Sequence, residues 1–486
     1  MPPTTALAPG APTHKEHRPA KNYVRTLEEY VVLSGVWGIP WYWGSQNFNQ
    51  RNWDIKWDWP TWKRKAITFE YVRMDGDDFA TNSFKHPFLS GTADFVVART
   101  NHLAIPESFL LASLNSVMWE YLVEFREKPS VNDMITTPFA GMAIGEVVFQ
   151  LGEFFNRGGD EPLNWALANT LGVLQNLHAR MDNRAIHKSP GVDSFGFPLD
   201  RWHRFVLSAG LAHAWLPADQ NETRAQIGLD TEIVTIRTWE KPGHVSHWVD
   251  DQGFSTLSIH GSWNEAGLQQ GLIRVRATLG GYYDQDLEGS ESTGLTGHAF
   301  FTGIHAAFEY SQSWIGVVHD RMAIMSLFGL DAMAMLHAGP LSVRVGLDAG
   351  PEFGMITALA GNDFVASLGP DGLTKTTLQQ HNYYYSLGVG IVPSLHAELG
   401  PVFVGANARM QQFNSIDGLE RNQAALTTDP HLIDRRAAYR VYAGLRPVPL
   451  FELSIGAEER VREGSVGNFR ASLRERIVTA GAAFIL

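Results

Sequence analysis

From about residue 204 to the C-terminus, apolar and polar residues alternate along the chain with a period of two. One example is the stretch 341–348, LSVRVGLD. Such alternation predicts β-strands with one apolar face and one polar face. About twelve stretches of this kind follow one another, and most exceed the five or six residues typical of strands in soluble proteins.

The length of these stretches bears on the fold class. A strand that crosses a bilayer needs about 9–11 residues, apolar toward lipid and polar toward the lumen. The sequence therefore predicts an all-β transmembrane barrel of about 12 antiparallel strands over residues 204–486, with an N-terminal α-helical insert or plug. A large soluble β protein shows the same alternation with shorter strands, and it is the alternative.

Residues 106–182 follow a helical period instead and are predicted to form the insert. In the first helix, Ser113, Ser116, Glu120 and Glu124 lie three or four residues apart and form one polar stripe. Pro129 is predicted to end this helix.

A second helix is predicted to begin near Pro138, and a third to cover residues 162–182. In the second helix Gly141, Gly145 and Gly152 share one face, where another backbone can approach closely.

The remaining N-terminal residues divide into a flexible tail, 1–22, and a tryptophan-rich segment, 23–105, with short strands predicted at 66–73 and 91–99. Indole rings favour the interface between membrane and water, although a packed aromatic cluster or a sugar-stacking platform would also use them. The tryptophans of the segment are Trp37, Trp41, Trp43, Trp53, Trp57, Trp59 and Trp62.

Composition narrows the possible partners. The net charge is −12 and no basic stripe stands out, which argues against nucleic-acid binding. The absence of cysteine excludes disulfides, thiolate metal sites and a cysteine nucleophile. No apolar run of 18 residues is present, so no helical membrane span is predicted. The N-terminus lacks the apolar core of a signal peptide, and a barrel would require that the signal peptide has been removed.

A resemblance to a known family covers roughly residues 70–150. The segment resembles an uncharacterised family of domains of unknown function from envelope proteins of Gram-negative bacteria. The resemblance implies a location in the bacterial envelope and a shared helical insert, and it implies no reaction. The matching residues are Asn82, His86-Pro87, Gly91, Ala98-Arg99, Ser116, Trp119-Glu120, Glu124, Pro129-Ser130, Asp133, Thr137, Gly141 and Gly145-Glu146.

The acidic helices suggest how the insert is held. If they lie in the lumen, Glu120, Glu124 and Glu146 need cationic partners, because an unpaired buried charge is costly. The candidate binding or plug residues are Asn82, His86, Trp119, Glu120, Glu124, Asp133 and Glu146. The basic residues predicted to face the lumen, and to pair with these acids, are Arg274, Arg276, Arg344, Arg409, Arg440 and Arg446.

Two more specific hypotheses compete with a structural plug. Ser130, His86 and Asp133 are residue types that build a hydrolytic triad, but no G-x-S-x-G surrounds Ser130, and Ser130-x-x-Asp133 is also a plain helix cap. Glu120, Glu124 and His86 together are residue types that bind a divalent metal, but E-x-x-x-E spacing is common on helices. We therefore expect no metal and no cofactor.

The function predicted from these patterns is that of a bacterial outer-membrane barrel with a helical plug. It serves solute or lipid passage or binding, or envelope integrity. Its expected partners are membrane lipid and a small solute, without nucleic acid. A membrane-embedded lipid-modifying hydrolase and a soluble periplasmic glycan-binding β protein are the alternatives, and an enzymatic role is the less favoured one.

Overall fold

The structure is a computed structural model that describes residues 20–45, 55–217, 220–250, 253–290, 294–368, 376–417 and 431–486. Its C-terminal part is one antiparallel sheet. The strands are β1 (Trp202–Leu216), β2 (Gln220–Val234), β3 (Gly243–Asp250), β4 (Phe254–Asn264), β5 (Gly267–Ser290), β6 (Gly294–Ile315), β7 (Val318–Ser326), β8 (Gly329–Gly339), β9 (Leu341–Thr357), β10 (Tyr383–Leu399), β11 (Val402–Ser415), β12 (Leu432–Val448), β13 (Phe451–Val466) and β14 (Phe469–Ile485).

The sheet closes into a barrel because β1 pairs with β14 as well as with β2. Two of the barrel's strands are interrupted. β3 and β4 follow one another along the chain and both pair with β5, and β7 and β8 follow one another and both pair with β6 and β9. Each couple therefore occupies the place of a single strand in the barrel. The barrel therefore has twelve strand positions, and the predicted fold class is confirmed.

Each strand presents one face to the lumen and one to the outside. Glu309 on β6 accepts a hydrogen bond from Arg409 on β11, which lies four strand positions away around the barrel. Glu309, Arg409 and every second residue along their strands therefore face the lumen, and we call this set of alternate residues the lumen-facing parity. The opposite parity carries exposed apolar side chains, which we call the outer belt. The outer belt includes Leu207, Ile227, Ile259, Ile304, Leu330, Val345, Val389, Val404, Val441, Ile455 and Val478.

The two mouths of the barrel differ. At one mouth, β8 and β9 are joined by a single residue, and the backbones of Phe205 and Leu486 pair there. We call this mouth the turn end. At the other mouth, the loop end, β9 is followed by α9 (Gly361–Ser367), and α10 (Thr377–His381) leads into β10. β11 ends and β12 begins at the same mouth.

The N-terminal part is helical, and we call it the helical layer. Among its described residues, the π-helical turn Ser34–Gly38 joins α1 to α2, Thr81–Gly91 leads into α4, and Trp119–Val123 follows α5. The α-helices are α1 (Tyr23–Leu33), α2 (Ile39–Ser45), α3 (Trp59–Ala66), α4 (Thr92–Thr100), α5 (Ile105–Met118), α6 (Val131–Arg157), α7 (Pro162–Leu171) and α8 (Val173–Met181).

The core of the helical layer is α6, and it begins earlier than predicted. The Ser130 side chain accepts a hydrogen bond from the Asp133 backbone and caps the helix, so Pro138 lies inside it. Its glycines allow close packing as predicted: a Cβ added at Gly141 would overlap the backbone of Gly91. By length and composition alone α6 could cross a membrane, and 67% of its most apolar window is buried.

Two N-terminal predictions need correction. The stretch 91–99 forms most of α4 rather than a strand, because Phe95, Val96, Val97 and Ala98 are all buried and suit a helix enclosed on every side. Near 66–73 the structure has only one isolated bridge, between Arg73 and Ser130.

The tryptophan-rich segment is only partly covered by the described residues. Trp57 and Trp59 are exposed, at 63% and 70%. Trp53 and the side chains of Trp37, Trp41 and Trp43 lie outside what is described.

The helical layer packs against the outer wall of the barrel. Phe88 contacts Phe308, the neighbour of lumen-facing Glu309, so Phe308 faces outward. Phe154 likewise contacts Phe205, which has the parity of the outer-belt residue Leu207. The predicted position of the helices in the lumen is therefore wrong.

A closed barrel with an apolar exterior predicts how the protein behaves in detergent. The unheated protein should stay folded in SDS and migrate differently from the boiled protein, because its ladder has no free edge at which to open. Gel electrophoresis with and without heating tests this. Full solubility without detergent would contradict a membrane barrel.

Candidate functional site

A cluster of buried polar side chains joins the helical layer to the barrel, and we call it the polar centre. Each of its seven residues is at most 6% exposed. Five come from the helical layer and two from the start of β10. The members are Asp75, Asn82, Ser130, Asn132, Asp133, Tyr383 and Tyr385.

Asp75 is the hub of the polar centre. Its carboxylate accepts hydrogen bonds from Asn82 Nδ2 (2.7 Å), Asn132 Nδ2 (2.9 Å), Ser130 Oγ (3.0 Å) and Tyr385 Oη (3.0 Å). A buried carboxylate is costly unless its oxygens are satisfied in this way. The hub fixes the positions of its four donors.

Two tyrosines attach the polar centre to the barrel. Asn82 Nδ2 donates to the hydroxyls of Tyr385 (2.7 Å) and Tyr383 (3.1 Å). The Tyr383 hydroxyl donates to the Asp77 carbonyl at 2.7 Å. Tyr384 between them points into the lumen cluster, so the strand alternation brings both neighbouring hydroxyls to the outer wall.

The candidate triad residues lie near one another without forming a triad. Ser130 is 1% exposed, and its Oγ donates to Asp75 and caps α6. His86 Nε2 lies 3.7 Å from Asp133 Oδ1, and among the described residues no hydrogen bond joins His86 to Ser130.

The acidic residues of the helices find partners within the helical layer. Arg99 forms a buried bidentate pair with Glu146, at 2.7 and 3.1 Å. Glu120 accepts from the Ser130 backbone N–H at 2.7 Å. Glu124 accepts from Trp119 Nε1 at 2.9 Å. The predicted pairing of Glu146 with lumen arginines is therefore wrong, because Arg99 on neighbouring α4 takes that place.

The structure does not bring the candidate metal ligands together. Within the described residues no group of three histidine or acidic side chains could hold a metal ion.

The six arginines predicted for the lumen share the lumen-facing parity. Each contacts a partner on another strand, on its own strand or in the 235–242 connection. Arg274 and Arg409 both contact Glu309. Arg276 lies 3.2 Å from Asp331. The remaining contacts are Arg344 with Glu240 (3.2 Å), Arg446 with Glu452 (2.5 Å) and Arg440 over the Tyr442 ring (5.6 Å).

Ion pairs also cross the lumen near the loop end. Asp320 on β7 accepts from Arg436 on β12 (2.9 Å) and from Arg462 on β13 (2.8 Å). Arg462 also pairs with Asp434 at 2.6 Å. These charges satisfy one another across a space that a wider barrel would leave to water.

Clusters of apolar side chains narrow the lumen at both mouths of the barrel. At the turn end, Trp239 of the 235–242 connection is 1% exposed and packs on the lumen-facing residues Tyr283 and Phe254. At the loop end, Leu378 of α10 joins a cluster with lumen-facing Tyr384 and Phe413. The barrel is thus capped by its own connections rather than by the N-terminal helices.

A cleft of about 660 Å³ opens beside the polar centre at the loop end. Phe79 of the helical layer forms one wall, and α10 forms another. Arg321 lies over the Phe79 ring, 4.6 Å from its centroid, and donates to the His381 carbonyl at 3.1 Å. The cleft therefore shares α10 with the loop-end cap.

Sequence reasoning missed four of the seven residues of the polar centre. Asp75, Asn132, Tyr383 and Tyr385 gave no spacing signal, because the hub forms between segments some 300 residues apart. The run of three tyrosines at 383–385, which the structure places at the start of β10, is the one sign of an unusual outer face that the sequence offers.

One family model matches a segment of the chain. Residues 71–175, which contain most of the polar centre, match the domain of unknown function DUF3943. No curated protein matches the chain.

Among solved structures, the chain is similar to OmpT of Vibrio cholerae, with 7% identity, 59% of this chain and 98% of that chain covered, and a TM-score of 0.22. It is also similar to the channel DcaP of Acinetobacter baumannii (7%, 59% and 97%, 0.23) and to the translocator domain of NalP from Neisseria meningitidis (11%, 67% and 99%, 0.21). The barrel assignment rests on the closure of this chain's own sheet.

The Arg99–Glu146 pair predicts a graded response to substitution. Glu146→Leu should lower the free energy of unfolding of the helical layer by about 3–5 kcal/mol, because it removes the carboxylate partner of a buried guanidinium. Glu146→Gln should cost less, since an amide oxygen still accepts a hydrogen bond. Denaturant titration in detergent measures both, with the exposed Glu28→Leu as control. Equal, negligible effects would mean that the pair is not buried.

The tyrosine attachment predicts that the helical layer can be loosened without opening the barrel. Tyr385→Phe removes the hydrogen bonds of one hydroxyl with Asn82 and Asp75, at a net cost of about 1 kcal/mol for each bond lost. Limited proteolysis should then cleave the helical layer faster while the barrel stays heat-modifiable. Tyr310→Phe, which keeps its ring contacts with Phe79 and Phe84, is the control.

Proposed function

We propose that this protein is an outer-membrane barrel that admits small charged solutes through a narrow lumen, closed in the conformation described. The observation that carries the proposal is a lumen lined by water-accessible charges of both signs, including the Asp230 carboxylate on β2, whose side chain is 44% exposed. Arg274 and Arg204 side chains are 43% and 40% exposed although they face inward. If the lumen side chains served only to stabilise the barrel wall, such charged groups would be buried away from water.

The ion pairs set the size limit in this proposal. A solute must pass Glu309 with its two arginines and Asp320 with Arg436 and Arg462. Charged solutes suit this lining because they can exchange partners with the pairs, whereas an apolar solute would leave desolvated charges behind.

The loop-end cap supplies the element that would move. Leu378 belongs both to the cap and to the cleft beside Phe79. A solute in the cleft would therefore bear directly on α10. This contact gives the helical layer a place in the gate without placing it in the lumen.

The hydrolase alternative gains no support from the geometry. The Ser130 hydroxyl is committed to Asp75 and to the helix cap, and it is almost fully buried. A nucleophile needs a neighbouring base and access to substrate.

Removing one ion pair that crosses the lumen should widen the passage. The double variant Glu309→Ala, Arg409→Ala deletes a pair from β6 and β11. Arg274, the second partner of Glu309, loses that contact but keeps contact with water, because its side chain is 43% exposed. We expect its single-channel conductance in planar bilayers to rise several-fold over wild type.

The matched control is Glu459→Ala, Arg474→Ala, an exposed pair of the same residue types on β13 and β14 at 3.3 Å. It should leave the conductance unchanged. If the lumen variant remains heat-modifiable and its conductance is no higher than that of the control, the barrel is a closed membrane anchor and the passage proposal fails.

A further inference from the structure

The helix α5 exposes a stripe of apolar side chains, which we call the α5 stripe. Its members lie on one side of α5 and of the π-helical turn Trp119–Val123 that follows it, and α5 has only one charged residue, Glu107 in its first turn. Nearby α1 also exposes Val24, Leu27, Val31 and Val32. The α5 stripe consists of Leu110 (58% exposed), Leu114 (49%), Val117 (38%), Met118 (54%) and Leu122 (60%).

Such a surface is unusual against water. Contiguous apolar patches on soluble proteins mark a site that binds another molecule or a membrane. On a helix at the protein surface, the solvent-facing side is normally polar. The α5 stripe inverts that pattern, so its surroundings must be apolar.

The position of the helical layer on the barrel indicates what those surroundings are. The outer-wall residues that it covers follow one line of paired residues across the strands: Phe205, Thr231, Leu257, Val275, Phe308, Met325 and Phe353. Strands of membrane barrels tilt by about 35–45°, so a line perpendicular to them runs diagonally from one mouth toward the other.

The outer belt continues on both sides of this line. On β1 the exposed residues Leu207 and Leu211 lie toward the loop end from covered Phe205. On β10 the exposed residues Leu387 and Val389 lie toward the turn end from covered Tyr385. The helical layer therefore crosses the height of the barrel that faces hydrocarbon elsewhere.

We propose that α5 and α6 are embedded in the bilayer beside the barrel and that the α5 stripe contacts lipid hydrocarbon. The proposal commits to lipid as the occupant because the stripe continues an apolar wall that already faces lipid. The length of α6, 27 residues with few charges, suits a helix that crosses the bilayer obliquely between the two mouths.

The chain has no cysteine, so single-cysteine variants carry one label each without background. We would place a nitroxide at Leu114→Cys in proteoliposomes and compare its accessibility to oxygen, which concentrates in hydrocarbon, with that to a water-soluble nickel chelate. Val389→Cys on the outer belt is the lipid reference. Arg64→Cys, on a side chain 55% exposed in α3, is the second reference.

The ratio of oxygen to nickel accessibility at Leu114→Cys should match that at Val389→Cys and exceed that at Arg64→Cys several-fold. A second label at Leu110→Cys should behave in the same way, and heat-modifiable migration should verify that each variant is folded. A ratio at both stripe positions like that of Arg64→Cys would place the stripe in water and overturn the proposal. Low accessibility to both reagents would show that protein covers the stripe, and would overturn it equally.

Discussion

Closure of the sheet is the constraint on which the rest of this structure depends. Once β1 pairs with both β2 and β14, every strand residue must face either the lumen or the outside. Shifting a strand by one residue would turn every lumen-facing side chain outward and every outward-facing side chain into the lumen. Phe308 and Glu309 illustrate the consequence: one contacts Phe88 on the outer wall, and its neighbour receives two arginines inside. Charges on the lumen-facing parity have only one another and water as partners, and in a twelve-stranded barrel they reach one another across the lumen.

That internal pairing explains why the helices are outside. With Asp320, Arg436 and Arg462 joined across the lumen and Trp239 folded over the turn end, little room is left for a helical plug. The helical layer consequently supplies its own countercharge, and Arg99 on α4 takes the role that lumen arginines would have had for Glu146. The same logic places Asp75 beside four hydrogen-bond donors, because a carboxylate between helices and barrel wall has no access to bulk water.

The barrel could be predicted from the sequence because its signal is local: alternation such as that of 341–348 needs no knowledge of the partner strand. The position of the helices could not be predicted, since it depends on which arginine Glu146 meets, and Arg99 and Arg344 differ in no local property that decides this. The stretch 91–99 was misassigned as a strand because a helix buried on all sides has no polar face to reveal its period. The polar centre was half visible: Asn82, Ser130 and Asp133 lie in the helical motif, whereas Tyr383 and Tyr385 join them only through the fold.

If the helical layer lies in lipid, the hydrophobic effect cannot hold it to the barrel, because hydrocarbon would contact either surface equally well. Association must then rest on close packing and on polar contacts that lipid cannot replace. Both are present where they are needed. Gly91 and Gly141 bring two backbones together inside the layer, and Asn82 donates to two tyrosine hydroxyls of the barrel wall. A hydrogen bond in a low-dielectric environment is stronger than the same bond in water, and breaking it there leaves both groups unsatisfied. The polar centre thus holds the helices to the barrel, as hydrophobic burial would in a soluble protein. This role accounts for a cluster of seven polar side chains within an otherwise apolar contact.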